Sequence, residues 1–242
     1  MRRVILCLSL ILVLLAAGLS RPPAPADEPR EVQTATFSIC ACDPDTQEWG
    51  VAVASRVLAV GAVVPWAQAK VGAVATQARV NISFGPNGLK LLAAGKSAQE
   101  VVDAVLAEDP GKEHRQLGIV DAKGQVANFT GTKCIPWAGA KSGKHYTCQG
   151  NLLAGPEVID EMAKAFEAAK GSLPWRLMAA LEAGDRAGGD KRGKQSAALL
   201  VVREGRGPNG IGDRYLDLRV DDHKDPIPEL ARLLTLRVKR PS

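Results

Sequence analysis

Thr36-Phe37-Ser38-Ile39-Cys40-Ala41-Cys42 is followed by Asp43-Pro44-Asp45-Thr46 and then by Gly50-Val51-Ala52-Val53-Ala54-Ser55-Arg56. The two outer runs read as short strands, and the loop rich in Asp and Pro between them makes the unit a β-hairpin. Side chains alternate along a strand. Thr36, Ser38, Cys40 and Cys42 therefore share one face, and Ala35, Phe37, Ile39 and Ala41 share the greasier one. Pairing Cys42 with Gly50 sets Thr36 opposite Arg56. A hydroxyl at the start of the first strand then meets a cation at the end of the second, and chemistry is expected there.

Upstream of the hairpin, Arg2 and Arg3 precede an apolar run over residues 4–17, with Gly18 and Ser20 after it. This is a secretory signal pattern, with cleavage expected after Ser20 or after Ala26. The run is short for a membrane span, which needs about 20 apolar residues. Residues 21–34, rich in proline and mixed charge, read as a disordered spacer. The remainder, 35–240, reads as a single domain, and a secreted or periplasmic location follows.

The 242 residues are 46% hydrophobic and only 4% aromatic. That balance suits a layered core and argues against a stacking platform for nucleic acid. The net charge of +5 loses two positive charges with Arg2 and Arg3, so it is mild and singles out no acidic partner. Three His and no CxxC or HExxH pattern leave no zinc site, and no phosphate-binding loop is present. No metal and no organic cofactor is expected. Cys40 and Cys42, two apart on one strand, are poorly placed to bridge each other. A Cys134–Cys148 disulfide stays open.

Residues 57–64 read as an apolar link ending at Pro65-Trp66, 70–77 as a strand, and 81–88 as a polar loop. A short helix is expected over 89–94. Ser97 and Glu100 form a capping box opening a helix that runs to about Glu108. A second hairpin covers 116–130, and 131–143 reads as a loop. A strand over 145–149 leads to Gly150-Asn151. Helical spacing of Val158, Ile159, Met162, Ala165 and Phe166 predicts an amphipathic helix after Pro156. A further helix is expected over 174–183, stopped by Gly184, and Gly188-Gly189-Asp190 reads as a flexible loop. Strands at 196–203 and 215–220 and a helix at 229–238 complete the chain. Hairpins dominate over βαβ units, so the fold class is α+β. Two packed, mainly antiparallel sheets with helices outside both would make a four-layer αββα sandwich.

Several blocks resemble one family in order: residues 36–43, 50–56, 72–77, 135–139, 149–156 and 195–202. The chain resembles the domain-of-unknown-function family DUF1028 from Thr36 to about Leu236. That family is placed among the N-terminal-nucleophile (Ntn) hydrolases, whose fold is the αββα sandwich. The resemblance implies that Thr36 becomes the first residue of the mature chain. Its hydroxyl then attacks an amide carbon and its own α-amine is the base. An α-amine titrates at about 8, against about 10.4 for lysine, so it is available as a base near neutrality. Arg56 lowers it further. Gln77, Asn81 and Asn151 are the candidates for an oxyanion hole, with Ser38, Ser55, Trp66 and Gln195 beside the substrate. Lys70 sits where the proteasome's threonine hydrolases place a lysine. In relatives lacking a signal, the matching threonine directly follows the initiator methionine. Here a further cut between Ala35 and Thr36 is required.

The expected function is that of an exported amidohydrolase acting on a small amide or peptide. The alternative is a non-catalytic module binding cell-envelope or peptidoglycan fragments. The expected partner is a small-molecule or peptide substrate, with no nucleic acid and no stable membrane insertion after signal removal. Assembly into a homo-oligomer stays open.

Overall fold

The computed structural model describes residues 33–34 and 36–241. The signal segment 1–20, its alternative end at 26 and the spacer as far as 32 lie outside the described residues. In chain order the strands are β1 (Gln33–Thr34), β2 (Thr36–Asp43), β3 (Glu48–Ser55), β4 (Pro65–Gln68), β5 (Gly72–Arg79), β6 (Arg115–Asp121), β7 (Val126–Thr130), β8 (Gly139–Gly143), β9 (Tyr146–Asn151), β10 (Ser196–Val202) and β11 (Arg214–Val220). The helices are α1 (Phe84–Ala93), α2 (Ala98–Ala107), α3 (Glu157–Ala168), α4 (Leu173–Arg186) and α5 (Pro226–Thr235).

The quoted hairpin is β2–β3, but its register differs by one residue from the expected one. Asp43 pairs with Glu48 and Cys42 with Trp49, so Thr36 faces Ser55 and not Arg56. The turn sets this. The Asp43 carboxylate accepts the N–H groups of Asp45 at 3.0 Å and Thr46 at 3.4 Å. Gln47 then takes a left-handed conformation, φ 55°, which closes the loop at Glu48.

A six-stranded sheet runs β11-β10-β3-β2-β9-β8, and a five-stranded sheet runs β1-β5-β6-β7 with β4 also on β5. All the pairings between these strands are antiparallel. Three apolar layers hold the sheets and helices together. Phe37, Ile39 and Ala41 pack against Met162, Phe166, Leu177 and Leu181 of α3 and α4, with α5 adding Leu230 and Leu234. Between the sheets, Cys40, Val51 and Val53 meet Ala73, Ala75 and Val120. On the far side, Val74, Leu117 and Ile119 meet Phe84, Val101 and Val105 of α1 and α2. The layering is helices, sheet, sheet, helices. Both faces of β10 are covered, which is why it reads as an unbroken apolar run. Each fully buried Leu or Ile contributes about 1.5–3 kcal/mol. The described residues belong to one compact unit, Glu31–Ser242. No helix among them is long and apolar enough to cross a membrane.

The capping box forms as expected: the Ser97 N–H and hydroxyl both bond the Glu100 carboxylate, at 2.8 and 2.7 Å. Other expectations are corrected. Helix α1 begins at Phe84 rather than at 89, because Pro86 falls in its first turn, where a missing N–H costs nothing. Residues 139–143 are the edge strand β8 rather than loop, and 65–68 form β4. Helix α4 runs through Gly184 because that glycine serves close packing: a Cβ there would lie 2.7 Å from Met162. Gln33 and Thr34, expected in the disordered spacer, pair as a strand with Arg79 and Ala78.

Gly118 tests how tightly the sheets are pressed together. A Cβ at this position would collide with the side-chain amide of Gln149. Gly118→Ala is expected to lower stability by about 1–3 kcal/mol, as overpacking does. Denaturant unfolding measures this, and an unchanged midpoint would show that the layer yields.

Candidate active site

Between the two sheets, at the end where β2 begins, the apolar layer gives way to neutral polar side chains. Thr36, Ser38, Gln77, Gln116 and Gln149 are fully buried, and Ser55 and Asn151 nearly so. They satisfy one another. The Thr36 hydroxyl donates to Ser55 Oγ at 3.2 Å. Ser38 Oγ donates to Gln77 Oε1 at 2.6 Å and accepts from Gln149 Nε2 at 2.7 Å. Gln77 Nε2 donates to Gln116 Oε1 at 2.8 Å and to the carbonyl of Thr36 at 3.3 Å. Gln116 Nε2 reaches the Gly150 carbonyl at 2.7 Å, and Asn151 Nδ2 donates to Gln116 Oε1 at 3.1 Å. The backbone aims these groups. Thr36 lies opposite Ser55 on one side and Asn151 on the other, while Gln77 and Gln116 are paired across β5 and β6.

Thr36 also marks a change of sheet. Gln33 and Thr34 pair with β5 of the five-stranded sheet, and Thr36 opens β2 of the six-stranded sheet.

Ser55, Ser38, Gln77 and Asn151 thus gather around Thr36. Arg56 lies just past the end of β3. Its N–H donates to the Asp190 carboxylate at 3.0 Å, and its guanidinium donates to the Arg192 carbonyl. Asp190 was missed in the sequence, where Gly188-Gly189-Asp190 reads as a flexible loop. The two glycines take φ 108° and 49° and fold the loop back, so that Asp190 bridges to Leu153. The Asp190 carboxylate is buried and holds the Arg192 guanidinium at 2.9 Å. An aspartate after two glycines was the available signal. Gln116 and Gln149 were also missed as site residues; each is an uncharged amide inside a strand.

Four expected residues stand elsewhere. Lys70 occupies the turn before β5, exposed and paired with Glu204. The part of β5 from Gly72 to Gln77, roughly 17 Å of extended chain, separates that turn from Gln77. Trp66 packs over Gly85 of α1, its indole N–H on the Val63 carbonyl at 3.2 Å. Asn81 bonds Asp109 at 3.1 Å, and its side-chain oxygen accepts the N–H of Ser83 before α1. Gln195 continues the ladder beyond Ser55, but its side chain turns to Asp222 at 3.2 Å.

Cysteine is excluded as the nucleophile here. Burial pushes the Cys40 thiol far up, and burial next to Asp121 and Asp43 pushes Cys42 up to about 12. Cys148 is buried and shifted the same way, and Cys134 and Cys148 are both free thiols. No group of acidic, His and Cys side chains among the described residues is placed to hold a metal.

Asp109 fastens the end of β5. Its carboxylate takes Arg115 Nε at 2.8 Å, and Arg115 Nη1 donates to the Arg79 carbonyl at 2.6 Å. Burial raises the Asp109 pKa, but the bonds from Arg115, Asn81 and the Gly111 N–H outweigh it and leave it below the ordinary value.

A family model described as a family of unknown function (DUF1028) matches residues 36–230. Among solved structures, the crystal structure of protein SPO2555 from Silicibacter pomeroyi, described with the same family model, is 34% identical to this chain. It covers 84% of this chain and 88% of its own, with a TM-score of 0.76. No curated protein matches.

Two measurements check the electrostatics. Asp109 has a lowered folded pKa, so its stabilisation is present above the unfolded value of about 3.9 and is lost as pH falls through the folded one. Asp109→Asn is expected to destabilise by about 1–3 kcal/mol at pH 7. The gap should narrow as the pH falls below the unfolded value, and a gap independent of pH would contradict it. Cys40, Cys42 and Cys148 are expected to resist a thiol reagent at pH 8 in the native protein and to react once it is unfolded. Fast native labelling of any of them would show that the layer opens.

Proposed function

The chain belongs to the DUF1028 family, and we propose that it is an exported amidohydrolase of the Ntn type, cleaving a small amide or peptide bond with Thr36 as nucleophile. The observation that carries this is the position of Thr36. Its buried hydroxyl opens β2 next to the short strand of the other sheet, and it donates to the Ser55 hydroxyl in a layer of hydroxyls and amides. Hydroxyls and amides are poor bases. Cutting the Ala35–Thr36 bond supplies a better one on the same residue, the freed α-amine.

The amine takes the hydroxyl proton as Oγ attacks the substrate carbonyl. The oxyanion that forms needs donors. Asn151, across the strand pair from Thr36, gives one amide N–H to Gln116 and has a second to offer. The amine returns its proton to the departing nitrogen, and water then hydrolyses the Thr36 ester. Arg56, whose guanidinium rests on a carbonyl, keeps a positive charge one residue from the Thr36–Ser55 pair and favours the neutral amine. The four-layer sandwich is the architecture expected of an Ntn hydrolase, and the pattern in residues 1–20 supports export. The complete burial of Thr36 in the uncut chain favours the competing reading, a binding module on the same scaffold.

Mass spectrometry of the protein from its native host separates the two. A chain beginning at Thr36 is expected, with Thr36→Ala remaining uncut and inactive and Thr36→Ser still processed. Chains beginning only at Arg21 or Asp27 would remove the hydrolase reading.

A further inference from the structure

We infer that the substrate is an extended peptide, bound as a strand on the edge of β5 that Gln33 and Thr34 now occupy, with its acyl side toward Thr36. This rests on the reading of Thr36 as nucleophile.

The outer edge of β5 is shared. β4 pairs with its first half, Gly72 to Ala75, and the Thr76 N–H goes to the Val64 carbonyl at 3.2 Å. Beyond that point the strand on this edge among the described residues is β1, whose Thr34 pairs with Ala78 and Gln33 with Arg79. The edge is held in place from the other side, where Arg115 grips the Arg79 carbonyl. A sheet edge of this kind takes an extended peptide through main-chain hydrogen bonds. The chain's own leader already does so, and it runs directly into the nucleophile.

Chemistry ties the leader to the substrate. When Thr36 Oγ attacks the Ala35 carbonyl, a C–O bond forms and the C–N bond to Thr36 breaks. The hydroxyl proton passes to the nitrogen, which becomes the α-amine. The leader is then an acyl group on Thr36 oxygen until water releases it as a carboxylate. A peptide substrate ending in the same residues gives the same ester. The edge that seats Gln33 and Thr34 during the first event therefore seats the acyl side of the substrate in later ones. Recognition through the backbone selects peptides over acyl sugars or simple amides. The alanine before Thr36 selects a small residue at the cut.

The test uses the chain processed at Thr36, which lacks β1 but retains every other strand and all five helices. Its thermal unfolding is recorded first, and the probe is acetyl-Glu-Val-Gln-Thr-Ala-amide, matching residues 31–35. Calorimetry is expected to show binding to the processed chain and none to uncut Thr36→Ala, whose edge is occupied. N-methylation at the position of Gln33 or of Thr34, whichever N–H points at β5, is expected to weaken binding by about tenfold. The same peptide carrying an aminocoumarin leaving group reports hydrolysis. No binding at millimolar peptide, or binding indifferent to methylation at both positions, would overturn the docking mode even if hydrolysis occurs. Methylation-sensitive binding without hydrolysis would sustain the docking mode and remove Thr36 as nucleophile.

Discussion

The packing of the two sheets at the Thr36 end depends on a set of neutral amides that bond one another, a serine hydroxyl and nearby carbonyls. Ser38 lies between Gln77 and Gln149, and Gln116 joins Gln77 to Asn151. All are shut off from water. Each buried donor or acceptor left without a partner costs about 1–3 kcal/mol. Sliding β2 by one residue would orphan several at once. It would also turn Phe37 and Ile39 into the polar layer and Ser38 into the apolar core against α3 and α4. The network therefore fixes which hydroxyl stands at the head of β2 and what surrounds it.

Neutrality is the second consequence. A buried ion pair would have served packing no better and would have titrated the hydroxyl's neighbours. The charged groups stand outside the layer instead. Asp190 with Arg192 and the Arg56 backbone close one side, and Asp109 with Arg115 and Asn81 close the other. These two clusters pin the loop after α4 and the end of β5, the segments that border Thr36.

Much of the fold was legible because its signals are local. The β2–β3 and β6–β7 hairpins, the Ser97 capping box and the apolar stripe of α3 are set by neighbours a few residues apart. What was not legible depends on distant partners. β1 is two residues long, and β8 is Gly-Ala-Lys-Ser-Gly, without alternation; both are strands only because an edge waits for them. Pro86 and Gly88 look like loop residues until the first turn of α1 and its packing on Val74 explain them. In the site, hydroxyls and amides at strand ends could be picked out one at a time. Which of them meet follows from the register, and the register turns on Gln47 adopting a positive φ, which its identity does not announce.

The burial of Thr36 looks at first like an argument against catalysis, since a nucleophile without access does nothing. The topology reverses that inference. What precedes Thr36 is a strand of the other sheet, held by two residues at the end of an edge whose remainder belongs to β4. So short a strand makes only two pairings with the sheet it joins. On the proposed reading, the same cut that creates the amine also frees the edge beside it. A nucleophile capped by its own leader would then be kept silent until the chain is processed, with the amide network already in place around Thr36.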